Sequence, residues 1–326
     1  YRRFTGRLKA DYQINNWLRI GGNMNYSHYS MHAANGGNGR SNDSGNMFAF
    51  SRIAPIYPLY LRDANKQIMH HAASGLDAYD YGDNTSSGLG LSRPFLGGSN
   101  ALSDNRINLD FADGNTFNGV ATADIRLMKD LTFRSVNSVY LKESRSKETV
   151  NPWFGQYATD NGSVGVGHGR TWSYNYQQVL NWKPTFGSHE FDFMLGHEYY
   201  RMISTTLSGR KSNMFDLKYD ELSGAAVTKS TTSGSSMYNT EGWFGRVNYS
   251  YANKYFGEVS YRRDASSMFH PENRWGNFWS LGGAWLISKE EWFDAPWVDE
   301  LKFKASYGAQ GNDNIGQFLY TNTYSI

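Results

Sequence analysis

The chain has 326 residues, a formal net charge of +2 and no cysteine, which excludes disulfides, cysteine-held metals and thiol nucleophiles. The balanced charge also argues against a nucleic-acid surface, which needs a basic excess on one element. Charged residues reach only 19% and aromatics 16%, with 34 glycines against 7 prolines, a mixture that favours β structure because rings suit a pleated surface and glycine serves turns.

No apolar run reaches the roughly 18 residues of a transmembrane helix. That leaves a membrane β-barrel open, since its strands alternate lipid-facing with lumen-facing residues and read as polar on average. Residue 1 already sits in a strand-like stretch with no leader ahead of it, so a piece of a longer chain is expected.

Phe4, Gly6, Leu8, Ala10 and Tyr12 alternate with Thr5, Arg7, Lys9 and Asp11, the period of two that marks a strand with unlike faces. Residues 13–16 form a tight link to a second alternating segment, 18–26. A long interval over 27–118 follows, rich in Gly, Asn, Ser and Asp. Within it, 43–53 reads as a short helix and 55–60 as an extended edge piece, because prolines cannot donate to a central ladder. Alternation resumes at 119–127 and turns at 128–130 into a weaker strand, 131–141. A loop over 142–170 leads to paired strands at 172–182 and 190–200. A Ser/Thr-rich loop over 201–238 precedes strands at 241–251 and 255–262, joined by a turn at 252–254.

The connections thus alternate short and long, with long ones at 27–118, 142–170, 201–238 and, more modestly, 263–276. Outer-membrane barrels do this, with short periplasmic turns and long extracellular loops. Trp172 and Trp182 stand ten residues apart on one face, about 33 Å of strand. Tilted by about 40°, that projects to roughly the 25 Å between aromatic girdles. Gln178 shares that face and departs from the pattern. The expected fold is all-β: part of one transmembrane antiparallel barrel domain, with about ten to twelve strands over 1–326.

Sites for bond chemistry are not evident. His70 and His71 lack further ligands at a suitable spacing. Asp77, Asp80 and Asp83 in residues 77–84 offer loop oxygens to calcium without the order of an EF-hand. The glycines at 165, 167 and 169 lack the Lys-Ser/Thr and helix of a phosphate loop. Glu290 and Glu291 point apart in an extended chain, so they read as capping or solvating a short helix rather than as a catalytic pair. No enzyme and no cofactor are expected. Lumen-facing candidates are the polar partners of the apolar rows: Arg246, Asn248, Glu258, Arg262, Lys302 and Lys304, which serve equally well as cross-strand ion pairs. Trp153, Phe154 and Tyr157 are candidates for stacking on sugar rings, or for anchoring their loop.

From residue 255 onward the chain resembles the SusC/RagA family of TonB-dependent outer-membrane transporters. The resemblance rests on Tyr255-Phe256, Arg263-Asp264-Ala265-Ser266-Ser267 with Phe269, and Asn273-Arg274-Trp275-Gly276-Asn277-Phe278. It continues through Gly283-Ala284-Trp285, Ser288-Lys289-Glu290, Ala305-Ser306-Tyr307-Gly308, Gly311-Asn312 and Asn314-Ile315-Gly316. Ala265 stands where the family usually has Gly, and Trp279 where Pro is common. Arg263, Asp264, Arg274, Trp275, Gly276, Gly311 and Asn312 are read as structural motif residues. The resemblance implies a barrel of about 22 strands with an N-terminal plug, neither completed here. It further implies TonB-driven import of an oligosaccharide or peptide, captured by a SusD-like surface lipoprotein, in the outer membrane of a Bacteroidota-like bacterium. A complete smaller barrel, acting as a passive pore or hydrolase, is the alternative.

Overall fold

The computed structural model describes residues 1–32, 55–82, 93–94, 100–154, 160–316 and 319–321. The helix expected over 43–53 lies outside the described residues. Eleven strands form one antiparallel sheet: β1 (Arg2–Gln13), β2 (Leu18–His32), β3 (Leu109–Met128), β4 (Leu131–Val150), β5 (Ser163–Trp182), β6 (Thr185–Phe186), β7 (His189–Met214), β8 (Ala225–Tyr251), β9 (Tyr255–Ser266), β10 (Trp275–Leu286) and β11 (Lys302–Ala309). Apart from the stub β6, which pairs only with β7, each strand pairs with the next in sequence. Among the described residues β1 and β11 do not pair, so the sheet is an open arc of wall.

The strands run further than their alternation suggests. The loops expected over 142–170 and 201–238 shrink to 151–162 and 215–224, because β4, β5, β7 and β8 extend into them. The interval 27–118 likewise shortens to 33–108, and it holds a helix that the pattern missed, α1 (Ala101–Ile107). The cause is solvation. Above the lipid band both faces of a strand are wet, so the apolar alternation vanishes while the hydrogen-bond ladder continues.

Register divides the sheet into two faces. Leu131, Trp182, Phe193, Val247, Val259, Leu281 and Tyr307 lie opposite one another across seven strands. One residue along, Asn181, Met194, Arg246, Ser260, Ser280 and Gly308 form the corresponding row on the other face. The rows climb relative to the turns: Trp182 ends β5, whereas Val259 sits four residues into β9. That stagger is what strand tilt in a barrel wall requires.

Aromatic contacts follow the lower rim of the apolar face. Tyr251 stacks on Tyr255, Tyr255 on Trp285, and Trp285 meets Trp292, with centroids 6.1–6.4 Å apart. Phe193 stacks on Trp182 at 5.2 Å further along. Such a girdle marks a membrane interface. The buried clusters lie not in the wall but among the long connections. Tyr79, Tyr81 and Phe154 form one, with Tyr60, Leu102, Ile107 and Trp153 against it. Val164, Met214 and Ala225 form another. A wall one sheet thick has no protein layer to bury its apolar face against.

Candidate functional site

The polar face carries the chemistry. Near the level of the upper rim Arg262 on β9 donates from Nε to both Asp264 oxygens at 2.6 and 2.7 Å, and from a terminal nitrogen to Glu198 of β7 at 3.3 Å. Asn175 of β5 donates to the other Glu198 oxygen at 3.0 Å. The Arg262 guanidinium also lies 5.1 Å from the centre of the Phe244 ring, a cation–π contact. One cation thus ties three strands together, leaving a local excess of one negative charge.

Glycine makes room for this layer. A Cβ on Gly196 would overlap the Phe244 ring, so only glycine lets the ring lie flat on β7 beneath Arg262. Phe278 is held in the same way between Gly276 and Gly311, where added Cβ atoms would meet its ring.

Two hollows open on this face. The lower one, about 720 Å³, is lined by Asp192, Asn248, Glu258, Lys302 and Lys304 among others. Lys183 pairs with Asp192 at 3.0 Å, and the Lys302 ammonium sits 4.3 Å from the centre of the Phe256 ring. The other Asp192 oxygen, Oδ1, is buried without a partner among the described residues, as is Nε of Arg246. The upper hollow, about 410 Å³, is lined by Tyr238, Arg262, Asp264, Arg274, Trp275, Phe278 and Asn312 among others. The chain after β11 also lines it, and there the Tyr238 hydroxyl donates to Asp313 at 2.7 Å. That hydrogen bond holds the Asp313 carboxyl below the usual aspartate range.

All six expected lumen candidates fall on this one face: Arg246, Asn248, Glu258, Arg262, Lys302 and Lys304 share its alternation. The structure does not bring them into a single cluster. Asn248, Glu258, Lys302 and Lys304 line the lower hollow and Arg262 the upper one.

The motif residues divide by role. Arg263 stands on the apolar face with its guanidinium 5.2 Å from the centre of the Trp275 ring. Arg274 donates to the Phe269 carbonyl at 3.3 Å, and Asn312 accepts from the Asn314 amide at 2.9 Å. Phe154 is not open to a sugar ring: it is 4% exposed beneath Tyr79 and Tyr81. Trp153 packs against the same cluster, and Tyr157 lies outside the described residues. Of the calcium-loop acids, Asp77 lies 3.3 Å from His70 and Asp80 accepts from the Gly82 amide at 2.6 Å. Asp83 lies outside the described residues. The sequence reading missed Glu198, Phe244 and Tyr238. Glu198 and Phe244 sit in alternating segments and Tyr238 ends the stretch read as a loop, but only strand register reveals their partners.

Glu290 ends a short helix through its backbone, its amide donating to the Ile287 carbonyl at 3.0 Å. It follows a single 3-10 turn (Ile287–Lys289) and accepts from the Tyr255 hydroxyl at 2.6 Å, Trp285 Nε1 at 2.9 Å and Lys254 Nζ at 3.4 Å. These donors, Tyr255 foremost, hold its carboxyl below the ordinary glutamate range. A lowered folded-state value means stability present above about pH 4 and lost as the pH falls through the folded value. Thermal unfolding of the whole protein between pH 6 and pH 3 should therefore shift less in Glu290→Gln than in the wild type. An equal shift in both would remove Glu290 from the acid response.

No protein-family model matches the chain. The TonB-dependent receptor P3 of Formosa agariphila is 28% identical over 244 residues, covering 69% of this chain and 24% of that protein. The TonB-dependent receptor SusC of Bacteroides thetaiotaomicron is 28% identical over 235 residues, covering 70% of this chain and 23% of that protein. The chain is a relative of SusC-type TonB-dependent receptors. The solved RagAB peptide transporter shares the fold of this SusC-like wall, with a TM-score of 0.74 over 97% of this chain and 33% of the other, at 20% identity. The wall is therefore a segment of an outer-membrane antiparallel barrel. It spans about a quarter of the length of the curated relatives it matches.

Proposed function

We propose that this chain forms one arc of the wall of an importer that carries a large nutrient, an oligosaccharide or a peptide, across the outer membrane. A SusD-like lipoprotein delivers the cargo and TonB drives its release inward. The observation that carries this reading is the two-faced wall of a SusC-like barrel. One face is an apolar band between aromatic rims, and the other is polar, with the Asn175–Glu198–Arg262–Asp264 network and two hollows. The polar face lines the passage, and Arg246, Asn248, Glu258, Arg262, Lys302 and Lys304 are its charged and polar lining. The relatives are receptors and transporters, and the work proposed is binding and gated passage without bond chemistry.

The test is uptake in the native host. Cells lacking the whole protein should fail to accumulate a fluorescent oligosaccharide or peptide that the parent takes up, and de-energised parent cells should fail likewise. Uptake that persists without energy would assign a passive pore instead.

A further inference from the structure

The upper half of β8 has one unpaired edge. β8 pairs with β7 from Ala225 to Tyr251, but with β9 only from Thr240 onward, because β9 ends at Ser266. At the junction the Ser267 amide donates to the Asn239 carbonyl, and the Asn239 amide donates to the Ser267 hydroxyl. The backbone groups of Asn239 therefore point away from β7. Counting back in steps of two, through a stretch whose only β7–β8 register shift lies further on, at Arg210/Lys211, those of Ser235, Ser233 and Thr231 point the same way. Among the described residues no strand meets them.

Above the wall, then, stands a notch bounded on one side by a bare row of alternating donors and acceptors. Native edges are normally blunted by proline, charge or a bulge. Here the run 230–236 reads Ser-Thr-Thr-Ser-Gly-Ser-Ser, with small uncharged side chains on both faces. The nearest blunting devices are the register shift and Lys229, which pairs with Asp160 at 3.1 Å. Both lie at the far end of the run. At its near end the edge leads into the upper hollow, which Tyr238 and Thr240 line. Small side chains let a second backbone approach and make no demand on its sequence.

We propose that this edge binds an extended peptide by strand addition, with Thr231, Ser233 and Ser235 supplying backbone N–H and C=O groups and the upper hollow receiving the peptide's end. The mode is recognition of backbone rather than side chain. It stands apart from the import reading, because binding is read on the purified protein with no transport step.

The test uses an eight-residue peptide of alternating Thr and Gln with blocked termini, and the same peptide N-methylated at every amide, so that neither of its edges can donate. Hydrogen exchange followed by mass spectrometry on the whole protein in detergent should show the 226–238 region slowed by the first peptide and not by the second. Ser233→Pro and Ser235→Pro remove only outward-facing amides, so the bonds to β7 remain. Each variant loses one hydrogen bond and sets a proline ring against the incoming strand, which should weaken binding by about three- to tenfold. Ser235→Ala, which keeps the amide, should bind as the wild type does. Absence of protection, or equal binding of the N-methylated peptide, overturns the proposal. Unchanged affinity in both proline variants overturns it as well. Should either variant misfold, the N-methylated peptide still decides the matter on the wild-type protein.

Discussion

Val259→Arg is expected to destabilise the bilayer-folded protein by about 2–4 kcal/mol, the cost of a cation on the lipid face at mid-depth. Val259 lies four residues from Tyr255 in the lower girdle and four from Arg263, which caps the upper rim against Trp275. Each interval is about 13 Å of strand, or about 10 Å of height at a tilt of about 40°, so Val259 stands near the middle of the band. The control is its neighbour. Ser260→Arg places the same side chain at the same depth on the polar face, where it forfeits the 2.6 Å hydrogen bond between Ser260 and Ser280. That should cost no more than about 1 kcal/mol. Urea titration of the whole protein in phospholipid vesicles reads both. Equal costs, or the reverse order, would overturn the assignment of the two faces.

This contrast also explains what the sequence could reveal. Inside the band, lipid on one side and water on the other impose alternation, so β5 near Trp172 and Trp182 and β9 from Tyr255 were legible residue by residue. Outside it, nothing differs between the faces. Segments such as 201–214 and 225–238 therefore read as loop, although they form part of the longest strands of the sheet. Gln178 remains an exception that register makes comprehensible: it lies opposite His197, which bonds Glu241 at 3.1 Å and sits 4.2 Å under Trp243. A polar patch thus interrupts the apolar face there. The face shared by the six lumen candidates followed from counting in twos. Their partners did not, because Glu198 and Arg262 are 64 residues apart in the chain and meet only through the pairing of β7, β8 and β9.

Gly196 offers the sharpest test of how the polar layer is built. Gly196→Val should cost about 1–3 kcal/mol, as overpacking does in a well-filled site, because the new Cβ occupies the place of the Phe244 ring. Displacing the ring also strips Arg262 of its cation–π face and loosens its hold on Glu198 and Asp264. Phe244→Ala should carry its own cost, since it removes the same contact from the other side. The two losses share one cause, so they should not add: in Gly196→Val/Phe244→Ala the valine enters the space the ring leaves. The double variant should then be more stable than the sum of the single changes predicts, by about 0.5–3 kcal/mol. Valine's β-branch suits a strand, so any residual cost in the double variant measures the lost Arg262 contact rather than backbone strain. Simple additivity would mean that the ring is not held by Gly196, and that Arg262 is fixed by its carboxylate partners alone.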